Sequence, residues 1–127
     1  ERSISKTIEG EFSETLKALE LKHLDERNVK MLHRYYCDLN LQLTESYRVL
    51  KRRASAMYVI GNSTIRGNYI RNSELLKKAA ISSGFSIKNE SVREIPNNKR
   101  YMPLNDKSGS SLASRMREEH VIELLKP

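Results

Sequence analysis

The stretch Met57-Tyr58-Val59-Ile60-Gly61-Asn62-Ser63-Thr64-Ile65-Arg66-Gly67 decides how this chain is read. Aromatic and β-branched residues run up to Gly61 and give way at once to small polar residues bracketed by two glycines. That is the pattern of a buried strand delivering a polar loop to a site. A near-continuous apolar strand, here from about 55 to 61, implies a helix on each face of a mostly parallel sheet. Ligands of such sheets bind beyond the carboxyl ends of the strands, which is where Gly61-Asn62-Ser63-Thr64 would sit. The loop is not a phosphate-cradling P-loop, because no Lys followed by Ser or Thr comes after Gly67.

On the amino-terminal side, Val29, Leu32, Tyr36, Leu39, Leu43, Tyr47 and Leu50 recur at spacings of three and four. This predicts one core-facing amphipathic helix from about 28 to 51. A coiled-coil seam would need a longer heptad run. Arg48 and Lys51 fall in its last turn, where cations favour the negative end of the helix dipole. Tyr35 and Tyr36 could stack on a base, although a tyrosine in an apolar stripe belongs more often to the core. Before residue 28, Leu16, Leu19, Leu21 and Leu24 permit a short helical segment with Ser13 as N-cap and His23 to Asn28 as its polar exit. The chain opens on Glu1 rather than Met, which reads as a cut or processed beginning.

On the carboxyl-terminal side, Asn72 and Ser73 offer caps to a helix bearing Leu75, Leu76, Ala79 and Ala80, and Gly84 ends it as a left-handed glycine would. Phe85 to Ile95 reads as a second strand, Pro96 to Ser111 as a loop, and Glu119 to Lys126 as a last strand. The loop holds Lys99, Arg100, Tyr101 and Lys107, a mixture suited to phosphates and bases.

At 127 residues the chain makes a single domain, with a formal charge of +7. Arg48, Lys51, Arg52, Arg53, Arg66, Arg71, Lys77 and Lys78 face the single acid Glu74 in the interval they span, so the excess sits around the central strand. A polyanionic partner and a merely solvated face both follow from that composition. No apolar run approaches the roughly 20 residues that cross a bilayer, and no leader pattern opens the chain; the expected compartment is the cytoplasm, with no membrane partner. The single Cys37 fits a reducing compartment. His33, four residues before it, would share its helical face as half a zinc site, but no second ligand pair follows, so no metal is expected. His23 and His120 stand isolated in the sequence and suggest no role.

The wording Tyr58-Val59-Ile60-Gly61-Asn62-Ser63-Thr64-Ile65-Arg66-Gly67, then Ser83-Gly84-Phe85, Arg93-Glu94-Ile95-Pro96-Asn97, Lys99-Arg100 and Met102-Pro103, resembles the carboxyl-terminal half of bacterial and phage DNA amino-methyltransferases. Tyr47-Arg48-Val49-Leu50-Lys51 looks like the Arg-Val-Leu-Lys-Pro turn before the fifth strand of such folds, with Arg52 in place of the proline. The resemblance covers roughly 28 to 126. It implies an α/β fold, the end of a class I (Rossmann-like) methyltransferase sheet preceded by the long helix, with the last strand antiparallel between two neighbours. Residues 1–27 would form an amino-terminal helical segment and 28–127 the methyltransferase-like part.

The implied function is to help methylate the exocyclic amino group of cytosine or adenine from S-adenosylmethionine, as in restriction–modification. Asn62, Ser63 and Thr64 would border the target-base pocket, Arg66 and Arg71 would touch phosphate or base, and Lys99 and Arg100 would meet the duplex backbone. The glycine-rich cofactor loop and the Pro-Pro-aromatic motif of the complete enzymes do not occur, so the chain alone is expected to be inactive. It would bind DNA beside a complementary methyltransferase half, or associate with itself. The other open readings are a non-catalytic basic α/β nucleic-acid module or specificity subunit, and an RNA-modifying relative.

Overall fold

The computed structural model describes residues 10, 12–14, 17, 24–65, 68–96 and 118–127. Helix α1 (Glu26–Val49) starts two residues earlier than its apolar stripe predicts, because Asp25 accepts the Asn28 N–H at 2.8 Å and serves as N-cap. Gly10, residues 12–14 and Lys17 are helical, which puts Ser13 inside a helix rather than at its cap. From the stripe, Leu32, Tyr36 and Leu43 are fully buried and Val29, Leu39, Tyr47 and Leu50 pack against them. Asn40 is buried in the same face without being apolar; its amide donates to the Tyr36 carbonyl one turn back, at 3.0 Å.

Strand β1 (Ser55–Gly61) leads into a short hairpin, β2 (Ser63–Ile65) and β3 (Asn68–Ile70), then helix α2 (Asn72–Ser82), β4 (Ser86–Glu94) and β5 (Glu118–Leu125). The main sheet has the order β1-β5-β4, with β5 antiparallel to both neighbours, so β1 and β4 run parallel to each other. This is the insertion that the resemblance implied. Ser63 to Ile65, expected as part of the polar loop after Gly61, instead forms β2, paired antiparallel with β3, Thr64 opposite Tyr69.

The sheet was expected to carry helices on both faces. Among the described residues they cover one. Directly opposite residues share a face, so Tyr58 and Ile60 of β1 lie with His120, Ile122 and Leu124 of β5 and Glu90 of β4, beneath α1 and α2. Met57 and Val59, on the other face, are 64% and 54% exposed. An unbroken apolar run cannot distinguish one covered face from two; the alternating exposure along β1 does.

Helix α2 ends in a tight cap. The Phe85 N–H bonds the Ala80 carbonyl and the Gly84 N–H bonds the Ile81 carbonyl, both at 3.0 Å, the paired pattern of a Schellman motif. Gly84 takes φ 107°, and a Cβ there would lie 2.9 Å from the Tyr47 ring. Phe85 then enters the core edge-on to Tyr47, with ring centroids 5.1 Å apart. The turn from α1 into β1 is closed by Ala54 N–H to the Lys51 carbonyl, with Arg53 at φ 66°.

Candidate functional site

The carboxyl end of β1 meets the amino end of α2 through two asparagine side chains, Asn62 on the inner side and Asn72 on the outer. Asn62 continues the inward alternation of Tyr58 and Ile60, so its amide turns under α2 and is 6% exposed. Its Oδ1 accepts the Ser73 N–H at 3.0 Å and the Ser73 hydroxyl at 3.1 Å. Its Nδ2 donates to Tyr69 OH at 3.1 Å and lies 3.2 Å from His120 Nε2. An asparagine side chain offers two acceptor positions and two donors, and here all four are used within the chain. Asn62 also supplies the cap that α2 lacks on its own, since the N-cap residue Arg71 makes no side-chain capping bond. The caps read from the sequence, Asn72 and Ser73, are the first residues of the helix itself.

Ser63 lies outside that network. Asn72 Nδ2 donates to the Gly61 carbonyl at 3.0 Å and to Ser63 Oγ at 3.1 Å, which pins the turn from its outer side. Ser63 and Asn72 line a cavity of about 240 Å³ with Met31, Leu32 and Tyr35 of α1. Burial pushes the Tyr35 phenol above its ordinary value. Tyr36, its neighbour in the sequence, is wholly core. Thr64 is half-buried on β2 and Arg71 is exposed at the start of α2. Arg66, Lys99 and Arg100 lie outside the described residues, as does His23.

His120, which sequence reasoning left without a role, sits at the centre of a polar chain. It is 15% exposed, and its Nδ1 lies 2.9 Å from Glu90 Oε1. Glu90 lies diagonally across the β4–β5 ladder on the same face. Glu90 Oε2 accepts from Lys77 Nζ at 2.8 Å, and Lys77 also pairs with Glu74 at 2.8 Å. Burial alone would raise Glu90, but hydrogen bonds and charges from Lys77 and His120 outweigh it and hold the carboxyl below the usual range. Burial likewise opposes the Lys77 ammonium, and Glu74 with Glu90 reverse the balance and raise it. No sequence signal pairs residues 30 and 58 positions apart; only the antiparallel insertion of β5 brings them together.

The basic residues that looked like one zone are parted by the strand. Arg48, Lys51, Arg52 and Arg53 lie before β1 and Arg71 beyond its other end, about 20 Å away at a strand's rise per residue. Lys77 is held by two carboxylates and Arg48 by Glu45 at 2.5 Å. Elsewhere, Cys37 Sγ lies 3.8 Å from His33 Nε2, and the His33 ring packs edge-on to buried Phe12 at 4.8 Å. Among the described residues no three His, Cys, Asp or Glu side chains gather as a metal site, and no helix is long and apolar enough to cross a membrane.

No protein-family model and no curated protein matches this chain. Among solved structures it is similar to a candidate DNA modification methylase of Thermus thermophilus. The selenomethionine derivative of that protein superposes with a TM-score of 0.60 at 15% identity, over 78% of this chain and 39% of that one. Its complex with S-adenosyl-L-methionine gives 0.59 at 14% identity, over 84% and 43%. The chain thus spans about two-fifths of the length of these structures. Identities so low speak for the fold alone, and the strand order agrees with them: this chain has the fold of part of a DNA methyltransferase-like α/β domain, its last strand antiparallel between two parallel neighbours.

Proposed function

We propose that this chain is the carboxyl-terminal part, or a subunit, of an S-adenosylmethionine-dependent DNA methyltransferase acting on the exocyclic amino group of cytosine or adenine. The observation that carries the reading is the turn at the end of β1, which opens beside a cavity at the edge where α/β sheets bind ligands. An extruded base needs a walled pocket with a few fixed polar groups. Ser63, Asn72 and Tyr35 border such a space, Met31 and Leu32 give it apolar walls, and Thr64 lies next along β2. Asn62, with its bonding capacity already used, serves as the frame behind them. Arg66 and Arg71 would hold phosphate near the flipped nucleotide, and Lys99 and Arg100 the duplex backbone.

S-adenosylmethionine would supply the methyl group. Among the described glycines, Gly10 is helical; of the other two, Gly61 ends β1 with its carbonyl bonded to Asn72, and Gly84 caps α2 against Tyr47. Neither forms a strand-to-helix loop open to a ligand, so these residues do not fit the cofactor's cradle, and cofactor binding is assigned to a complementary half of the enzyme.

The test is to isolate the chain from its source with any co-purifying polypeptide and incubate it with methyl-labelled S-adenosylmethionine and unmethylated DNA. Nucleosides are then analysed for N6-methyladenine and N4-methylcytosine. Label in either supports the reading. A lone chain that leaves DNA unmodified yet binds it with steep salt dependence and no cofactor would establish the non-catalytic binding module instead.

A further inference from the structure

We infer that His120 is a positioning residue that latches the Asn62 turn onto the amino end of α2, and that a second proton on its imidazole opens the latch. The assignment follows from which atoms can only donate. A backbone N–H has no acceptor role, so the Ser73 N–H, 3.0 Å away, fixes Oδ1 of Asn62 as the atom facing α2. Nδ2 therefore faces His120, and His120 Nε2 must accept. The ring proton then sits on Nδ1 and is donated to the Glu90 carboxylate.

An imidazolium carries a proton on both nitrogens, so Nε2–H would meet the Asn62 NH2 donor against donor. Rotating the Asn62 amide by half a turn does not relieve this, because it would set the NH2 against the Ser73 N–H. One end or the other loses its bond, the Asn62 cap on Ser73 loosens, and Asn72 alone is left holding the turn to α2. The groups facing His120 are few. Glu90 comes from β4, backed by Lys77 and Glu74 of α2; Asn62 comes from the end of β1 with Tyr69 of β3 behind it. Its cross-strand partners Ile60 and Val92 carry no charge, and the carboxylates of Glu118 and Glu94 stand one pair further along the same face. The latch borders the turn assigned above to the target base, yet it rests on contacts of its own, and loss of methyl transfer in an assay would not bear on it.

Imidazole nitrogen resonances of the full-length, 15N-labelled chain report the tautomer, and hydrogen exchange reports the Ser73 amide. Above the titration of His120, an unprotonated Nε2, a protonated Nδ1 and a protected Ser73 amide are expected. As His120 takes its second proton, the Ser73 protection factor should drop about tenfold, the equivalent of one lost hydrogen bond, while Ala79 and Ala80 keep theirs. His120→Gln, whose side-chain oxygen can accept from Asn62, should keep Ser73 protected and abolish the pH response. His120→Asn, whose shorter side chain can donate to Glu90 but places no acceptor at the Nε2 position, should show the tenfold lower Ser73 protection at every pH. An Nε2–H tautomer, or a Ser73 protection factor that ignores the titration of His120 in the unmodified chain, would overturn the assignment.

Discussion

Lys126 closes the carboxyl end of α1 through Tyr47. Its ammonium lies 2.6 Å from the Tyr47 carbonyl, 2.8 Å from the Leu50 carbonyl and 4.5 Å from the centre of the Tyr47 ring. The last carbonyls of a helix have no partner within it and carry the negative end of its dipole. One cation from the end of β5 thus satisfies helix, dipole and aromatic face together. Lys126→Met keeps the apolar stem and removes the charge; it should lower stability by about 1–3 kcal/mol, read as a shift in the urea midpoint with unchanged m-value.

Gly84→Ala should be costly for two separable reasons. The backbone sits at φ 107° and a Cβ would press on the Tyr47 ring at 2.9 Å; a strained residue of this kind costs about 1–3 kcal/mol. In a Tyr47→Leu background the ring is gone and the backbone strain stays, so a double-mutant cycle by urea unfolding should show a smaller loss from Gly84→Ala.

The Lys77–Glu90 pair sets a pH window. Glu90 is held below its unfolded value of 4.5, so its contribution is full above that pH and is lost as pH falls through the folded value. Lys77 is raised above 10.5, so its contribution is full below that pH and is lost as pH rises through the folded value. Glu90→Gln should therefore flatten the acid limb of the stability profile, measured as urea midpoints between about pH 3 and 6. Lys77→Met should flatten the alkaline limb as well.

If the chain works with a complementary half as proposed, Arg66→Ala and Arg71→Ala should each weaken DNA binding of the reconstituted pair and reduce the slope of log K against log salt by about 0.9 where each neutralises one phosphate. Lys77→Ala should leave that slope unchanged, because Glu74 and Glu90 already hold its charge. Fluorescence anisotropy across a salt series separates the two classes; unchanged slopes for both arginines would remove them from the contact surface.

Where a signal was local, the sequence was read closely. The stripe of α1 and the strand at 55 to 61 are patterns of three to four residues and of continuous apolar character, and both elements formed within two residues of expectation. Gly84 was legible because few other residues take its backbone angle. The β2–β3 pair was not, since strands of three residues, Ser-Thr-Ile and Asn-Tyr-Ile, are too short to show a period. Asn40 escaped notice because its partner is the backbone of its own helix. His120 and Glu90 escaped because a site assembled by β5 slipping between β1 and β4 exists only in three dimensions. Asn62 lies directly after β1, as its place behind Gly61 in the sequence requires, and what the sequence could not tell was that Ser73, Tyr69 and His120 would gather around its amide.

Glu94 and Glu118 stand opposite each other at the open end of the β4–β5 ladder, although 23 residues separate them along the chain. The span between them begins and ends at one place on a finished sheet. Doubling the length of such an excursion costs only about 0.6 kcal/mol in closure entropy, and neither strand need shift to admit it. Lys99 and Arg100 lie in that span. If these two residues meet the duplex backbone as proposed, such contacts can be rewritten between the strands by substitution or insertion, while the ladder itself is left unedited.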